Sequence, residues 1–268
     1  MKDLTDWGAP NLATLPSRKV TDIQAMLDQI EQRHKVTVFL AVESGSRAWG
    51  FPSADSDYDV RFLYLHNLDW YVTAFRKKDQ IDLMINQDLD AAGWDLAKCM
   101  RLLYKSNSAL IEWLNSPVVY RQDEHKVTQL RDLAIRVFQP QAVFYHYLSL
   151  AKRKLLHPDT RTHEKSFLYA LRALLCARWV EEFRSAPPVE FKPLVERYLN
   201  SSADLEALLA LLTRKLEGQE VDRKPIPENL WSLAQRTFET LNSANIRSKP
   251  VGDIELYDQT LRNVLFGR

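Results

Sequence analysis

The sequence predicts an α+β protein, with a mixed sheet and its helices in the N-terminal part and an all-helical part after it. Three observations carry that expectation. Short runs rich in β-branched and aromatic residues recur at 36–42, 58–65 and 81–85, each too short for a long helix. Beyond Arg121 the strand pattern almost disappears, and apolar residues return every three or four positions instead. The 268 residues, 46% apolar and 26% charged, suffice for one large or two small buried cores.

Residues 1–16 carry Gly8, Pro10 and Pro16 without periodicity and read as an irregular arm. From Ser17, the spacing of Val20, Ile23, Leu27 and Ile30 predicts a helix with one apolar face, closed by the charged residues 31–35. A strand over 36–42 delivers the chain to a Gly-Ser turn at Gly45 and Ser46, and a second strand follows at 58–65. A third strand covers 81–85, Gln87 and Asp88 turn the chain, and an extended piece over 89–94 leads into a helix. Asp95 is the expected N-cap of that helix, with Leu96, Met100 and Leu103 on its apolar side. Residues 105–108 interrupt it or begin a second helix toward Trp113. Asn115, Ser116 and Pro117 end the run, and 118–120 is extended enough for an edge strand. Four helices are then expected at 142–156, 165–183, 203–216 and 230–241, punctuated by prolines at 187, 188, 225 and 227. The change of pattern places a domain boundary between 125 and 126.

Composition narrows the function classes. Lys and Arg number 36 against 35 Asp and Glu, so net charge supplies no argument for a nucleic-acid or membrane partner, and any basic surface has to be local. The first residues lack an apolar signal core, and no run approaches the roughly 20 apolar residues of a spanning helix, so a cytoplasmic protein is expected. Cys99 and Cys176 stand far apart, and the six histidines show no ligand spacing, so neither a redox pair nor a structural zinc site is expected.

The chemistry concentrates at 45–59. A Gly-Ser pair directly after a strand lets the backbone approach a phosphate closely, with amides and the Ser46 hydroxyl as donors. Alone, such a pair also serves as a simple turn. Ten residues further on come Asp57 and Asp59, two apart at the start of a strand and therefore on one face. Two like charges so placed repel unless a cation stands with them, and Asp59 sits in an apolar strand where a solvated turn is a poor explanation. Asp82 and Asp90 both occupy extended contexts from which a third carboxylate could join them. On a helix through 165–179, Lys165, Tyr169 and Arg172 share one face, while Lys152, Arg153 and Lys154 cluster on the preceding helix. A solvated basic face is the plain reading of both groups. Arg47 and Trp49 lie inside the turn region, where Trp49 serves equally well as a packing anchor, and the aromatic cluster at 144–147 reads as helical core rather than a base-stacking platform.

Gly-Ser, about ten residues, then Asp-x-Asp on a strand resembles the polymerase-beta superfamily of nucleotidyltransferases. Residues 45–59, Gly93-Trp94-Asp95-Leu96 with Lys98, Lys105-Ser106-Asn107, Trp113-Leu114 with Ser116-Pro117, and 165–179 followed by 187–191 further resemble a nucleotidyltransferase family labelled RNA-repair-pathway polymerase-beta-like. Ser44 departs from the apolar residue usual before the glycine. The resemblance implies that 1–125 is a catalytic domain and that 126–268 is a helical domain completing a nucleotide and acceptor cleft. It implies two Mg²⁺ ions, with Mn²⁺ as a substitute, held by Asp57, Asp59 and a third acid. Asp90 is preferred as that acid because its strand runs straight into the helix at Asp95, with Asp82 as the alternative. It also implies ATP or another NTP as substrate, bound by Gly45, Ser46, Lys165, Tyr169 and Arg172. An NMP would pass to the hydroxyl of an RNA end such as that of tRNA, of a protein or of a small molecule, with pyrophosphate released. A catalytically silent nucleotide-binding or regulatory module of the same fold is the alternative. The oligomeric state stays open, and no membrane partner is expected.

Overall fold

Apolar residues at 23, 26, 27 and 30 form a buried stripe on the first helix, which needs a sheet to cover it, and the computed structural model supplies one. Residues 10–53, 55–75, 77–86, 88–216, 224–249 and 252–268 are described, Ile85 and Asn86 by their backbone alone. Residues 1–9 of the arm expected over 1–16, Ala54 of the turn region and Gln87 of the turn at 87–88 lie outside them, and the rest of the arm holds one 3-10 turn at Leu12–Thr14.

In chain order the strands are β1 (Thr37–Glu43), β2 (Tyr58–Leu65), β3 (Gln80–Asn86), β4 (Leu89–Asp95) and β5 (Val119–Gln122). The helices are α1 (Ser17–His34), α2 (Gly45–Trp49), α3 (Leu68–Tyr71), α4 (Leu96–Tyr104), α5 (Ser108–Leu114), α6 (Glu124–Arg136), α7 (Pro140–Leu155), α8 (Glu164–Phe183), α9 (Phe191–Tyr198), α10 (Ser202–Leu216), α11 (Glu228–Asn242) and α12 (Ile254–Phe266). Among the described residues the chain forms two compact units, one of 10–48, 57–138 and 252–268, the other of 49–56 and 139–249.

The first unit holds a five-stranded mixed sheet in the order β3-β4-β2-β1-β5. β2 and β4 run parallel, and every other neighbouring pair is antiparallel. Strand alternation sends Val60, Phe62 and Tyr64 into a core with Ile23, Leu27 and Ile30 of α1. The opposite face packs Leu63 with Leu96 and Met100 of α4, Leu110 of α5, Leu130 of α6 and Val264 of α12. A register shift between Val38 and Leu40 lets Phe39 and Leu40 both join this second core. Asp95 caps α4 by accepting from the Ala97 amide, and Asn107 caps α5 by accepting from Leu110, so the interruption at 105–108 is a second helix start.

The second unit is helical. α8 carries buried residues nearly all round, from Phe167 to Cys176 and Val180, as a central helix must. Trp49 and Phe51 pack edge-on against Tyr169, and Phe51 also meets Phe191 of α9.

Several elements differ from expectation. Residues 45–49 coil into the short α2 instead of a plain turn. Helices α6, α9 and α12 were not expected: α9 has only eight residues, whereas α6 buries Val127, Leu130, Leu133 and Ala134 at the helical spacing and α12 buries Tyr257 and Val264. The compact units do not follow one cut at residue 125, since α6 and α12 pack with the sheet while 49–56 belongs to the helical unit.

Candidate active site

The site is built where β1 ends and β2 begins. Gly45 sits in the left-handed region at φ +65°, and a Cβ there would fall 2.6 Å from Asp59 Oδ2, so only glycine lets the backbone pass so close to that oxygen. The Ser44 amide donates to the Asp59 carbonyl at 3.0 Å. From below, Glu43 Oε1 accepts the Asp59 amide at 2.8 Å while Oε2 accepts the Tyr120 hydroxyl at 2.5 Å. Glu43 is fully buried, and burial pushes its carboxyl up to about 7, against the pull of the bonds from Tyr120 and the Asp59 amide. Burial and then the charge of Glu43 raise the Tyr120 phenol in turn. This pair fixes the start of β2 by its main chain.

The register of β2 and β4 sets Asp59 directly beside Asp90. Both face away from α1, because their neighbours Tyr58, Val60, Leu89 and Ala91 fill the core on that side. Arg61, two residues after Asp59 and on the same face, puts one nitrogen against both acids: Nη2 lies 2.9 Å from Asp59 Oδ1 and 2.9 Å from Asp90 Oδ2. Its Nη1 donates to the Val60 carbonyl at 3.1 Å. Asp82 lies instead on β3, an edge strand, opposite Ala92 of β4, and its exposed carboxylate accepts from Gln80. Asp57 is exposed and lies just before β2, its carbonyl accepting from Arg47 Nε at 3.1 Å, with the Arg47 guanidinium stacked 3.9 Å from the Tyr58 ring centre. Ser46 is buried on α2.

The oxygens suit a hard divalent ion in chemistry, and the glycine keeps the space above Asp59 Oδ2 open. Yet among the described residues no three Asp, Glu, His or Cys side chains are gathered closely enough to hold a metal. The place spanning Asp59 and Asp90 is taken by Arg61.

Lys165, Tyr169 and Arg172 belong to the helical unit and differ in setting. Lys165 is exposed, and Tyr169 is half-buried beneath Lys154, whose Nζ lies 5.8 Å from its ring centre. Arg172 is 3% exposed, stacked 4.2 Å from the Trp49 ring centre, with Nη2 donating to the Val189 carbonyl at 2.8 Å. The shared face expected for these residues thus runs from solvent into the interior, and Arg172 is placed as an interior residue instead of a phosphate-facing one. Trp49 is a packing anchor. Phe144 and Tyr147 are buried in α7. Lys215, unexpected and fully buried, donates to Ser53 Oγ at 3.2 Å and fastens the 49–56 segment within the unit.

Arg61, Glu43 and Tyr120 escaped the sequence reading. The signal for two of them was present: a charged residue inside an apolar strand, at 43 and at 61, asks for a buried partner.

A five-stranded mixed sheet, with Gly45 and Ser46 opening a short helix between β1 and the aspartate-bearing β2, defines a class of site, and the family comparison agrees with it. The model of the RlaP family, described as the RNA repair pathway DNA polymerase beta family, matches residues 20–263, and the chain belongs to that family. It is 42% identical over 199 residues to the uncharacterized protein YcgL of Bacillus subtilis (strain 168), covering 73% of this chain and 76% of that one. A solved nucleotidyltransferase-like protein from Exiguobacterium sibiricum 255-15 aligns over 91% of this chain and 79% of its own. Its identity is 13% and its TM-score 0.32, too low to bear on the fold.

Proposed function

We propose that the chain is a metal-dependent nucleotidyltransferase that moves a nucleoside monophosphate from an NTP to an acceptor hydroxyl. The observation that carries this is the pair Asp59 and Asp90, in register on neighbouring strands beneath the bare backbone of Gly45, in a member of a polymerase-beta family. The acceptor oxygen attacks the α-phosphorus, the bond from that phosphorus to the bridging oxygen of pyrophosphate breaks, and the acceptor proton is released. Asp57, Asp59 and Asp90 are the residues that would hold Mg²⁺ or Mn²⁺, which when bound would supply charge for the phosphate oxygens and acidify the acceptor hydroxyl. Glu43 positions Asp59 through its amide, and Gly45 and Ser46 offer amides and a hydroxyl to phosphate.

An RNA end is the acceptor class favoured here, supported by the family's name and by a near-neutral chain that suits a compact footprint better than a long one. Such an acceptor agrees with the cytoplasmic setting expected from the sequence. Among the described residues no helix is long and apolar enough to cross a membrane. The second reading, a silent nucleotide-binding module, draws on the hold of Arg61 on both carboxylates.

The test offers each α-labelled NTP with Mg²⁺ and a pool of RNA ends, and follows both label and pyrophosphate. Asp59→Ala and Asp90→Ala are expected to lower transfer by at least about 10³-fold while circular dichroism stays unchanged. Transfer at the unmutated rate would overturn the assignment of these acids. NTP binding with no pyrophosphate released from RNA, protein or small-molecule acceptors would favour the silent module.

A further inference from the structure

We propose that Arg61 is the resident counter-cation of the carboxylate pair, so that a divalent ion binds by displacing its guanidinium. The inference deepens the nucleotidyltransferase reading and rests on Asp59 and Asp90 being metal ligands.

Two carboxylates on neighbouring strands and one face repel unless a positive charge joins them. Here a single nitrogen, Arg61 Nη2, stands 2.9 Å from an oxygen of each, the place an ion bridging the two acids would take. The three groups are not equally sheltered. The Arg61 side chain is 16% exposed, against 36% for Asp59 and 44% for Asp90, so solvent reaches the acids more freely than the guanidinium between them. The Arg61 backbone is fixed in β2 and its Nη1 donates to the Val60 carbonyl at 3.1 Å, so releasing the acids needs the guanidinium to turn on its flexible stem while the main chain stays in place. Ion pairs this open to water are individually weak, which keeps the exchange within reach of a divalent ion while still lowering its affinity. Arg61 thereby sets the concentration at which the site fills.

The probe is Mn²⁺ alone, titrated into the full chain without nucleotide and followed by the electron paramagnetic resonance of the free ion. Arg61→Met is expected to bind Mn²⁺ about tenfold more tightly than the natural protein, and adding Asp59→Asn to it should abolish the gain. Arg61→Lys, which keeps the charge, should stay within about threefold of the natural affinity. If Arg61→Met binds no more tightly while Asp59→Asn weakens the natural protein, the counter-cation role is overturned and the metal reading stands. If neither protein binds Mn²⁺ at millimolar concentration, both fall. Should Arg61→Met fail to fold, the guanidinium NMR signal of Arg61 in the natural protein decides. A saturable shift with Mg²⁺ supports displacement, and saturation of neighbouring amides with that signal unmoved overturns it.

Discussion

Each unit keeps one arginine largely out of water, and the two are used in opposite ways. In the sheet unit, Arg61 gives its charge to two carboxylates. In the helical unit, Arg172 lies on the indole of Trp49 and donates to the Val189 carbonyl, contacts that offer no full negative charge. A guanidinium on carboxylates is exchangeable for another cation, whereas one on a ring and a main-chain carbonyl acts as a packing element with a polar tip. What a basic residue does is therefore decided by its partners, and spacing along a helix does not reveal them.

The contrast breaks most readily at Arg172. Arg172→Ala would leave a cavity against Trp49 and strip Val189 of its donor, and a loss of about 3–4 kcal/mol in denaturant unfolding is expected. Arg172→Lys should recover only part of it, since an ammonium stacks on an indole less well. A loss below about 1 kcal/mol would refute the packing role.

Glu43 sharpens the other side. Its folded-state pKa of about 7 lies above the ordinary 4.5, so the folded protein holds this proton where the unfolded chain has lost it. The contribution of Glu43 to stability is then full below about 4.5 and falls as pH rises to about 7. Glu43→Gln removes that fall, so its stability relative to the natural protein should improve by about 2–3 kcal/mol between those limits, as unfolding curves across the range would show. A flat difference would mean that burial at this residue has been misjudged.

The smallest effect is expected at Gly45. Gly45→Ala combines a left-handed φ with a 2.6 Å approach to Asp59, for about 1–2 kcal/mol and a marked loss of transfer. Gly267→Ala, at the same φ of +65° but with nothing within 4 Å, isolates the backbone cost alone and should leave transfer unchanged. Equal effects of the two on transfer would detach Gly45 from the site.

Much of this was legible in advance, for reasons that differ by element. The strands were readable because β-branched runs are short and bounded, and the start of α4 because Asp95 has both capping chemistry and an apolar run behind it. The choice of Asp90 beside Asp59 depends on β2 and β4 pairing in parallel, which no residue pattern states. The interior place of Arg172 was hidden for a related reason: α8 is apolar nearly all round, so its sequence lacks the polar stripe that would tell one face from another. α12 carries Leu256, Tyr257, Leu261, Val264 and Leu265 toward the core, but only Tyr257 and Val264 are wholly buried, and that partial cover is set by the fold rather than by spacing.

That late helix has a consequence for how the chain is made. A core face assembled from Phe39 through Val137 receives its last members, Tyr257 and Val264, only when synthesis has passed α12. At ~5–20 residues per second, the interval from the end of α6 to the start of α12 leaves their seats on α4 and α6 vacant for roughly 6 to 24 s on the ribosome. A nascent chain in that interval presents a sticky flank to chaperones and to its neighbours on the same message. A premature stop before residue 254 would make that exposure permanent.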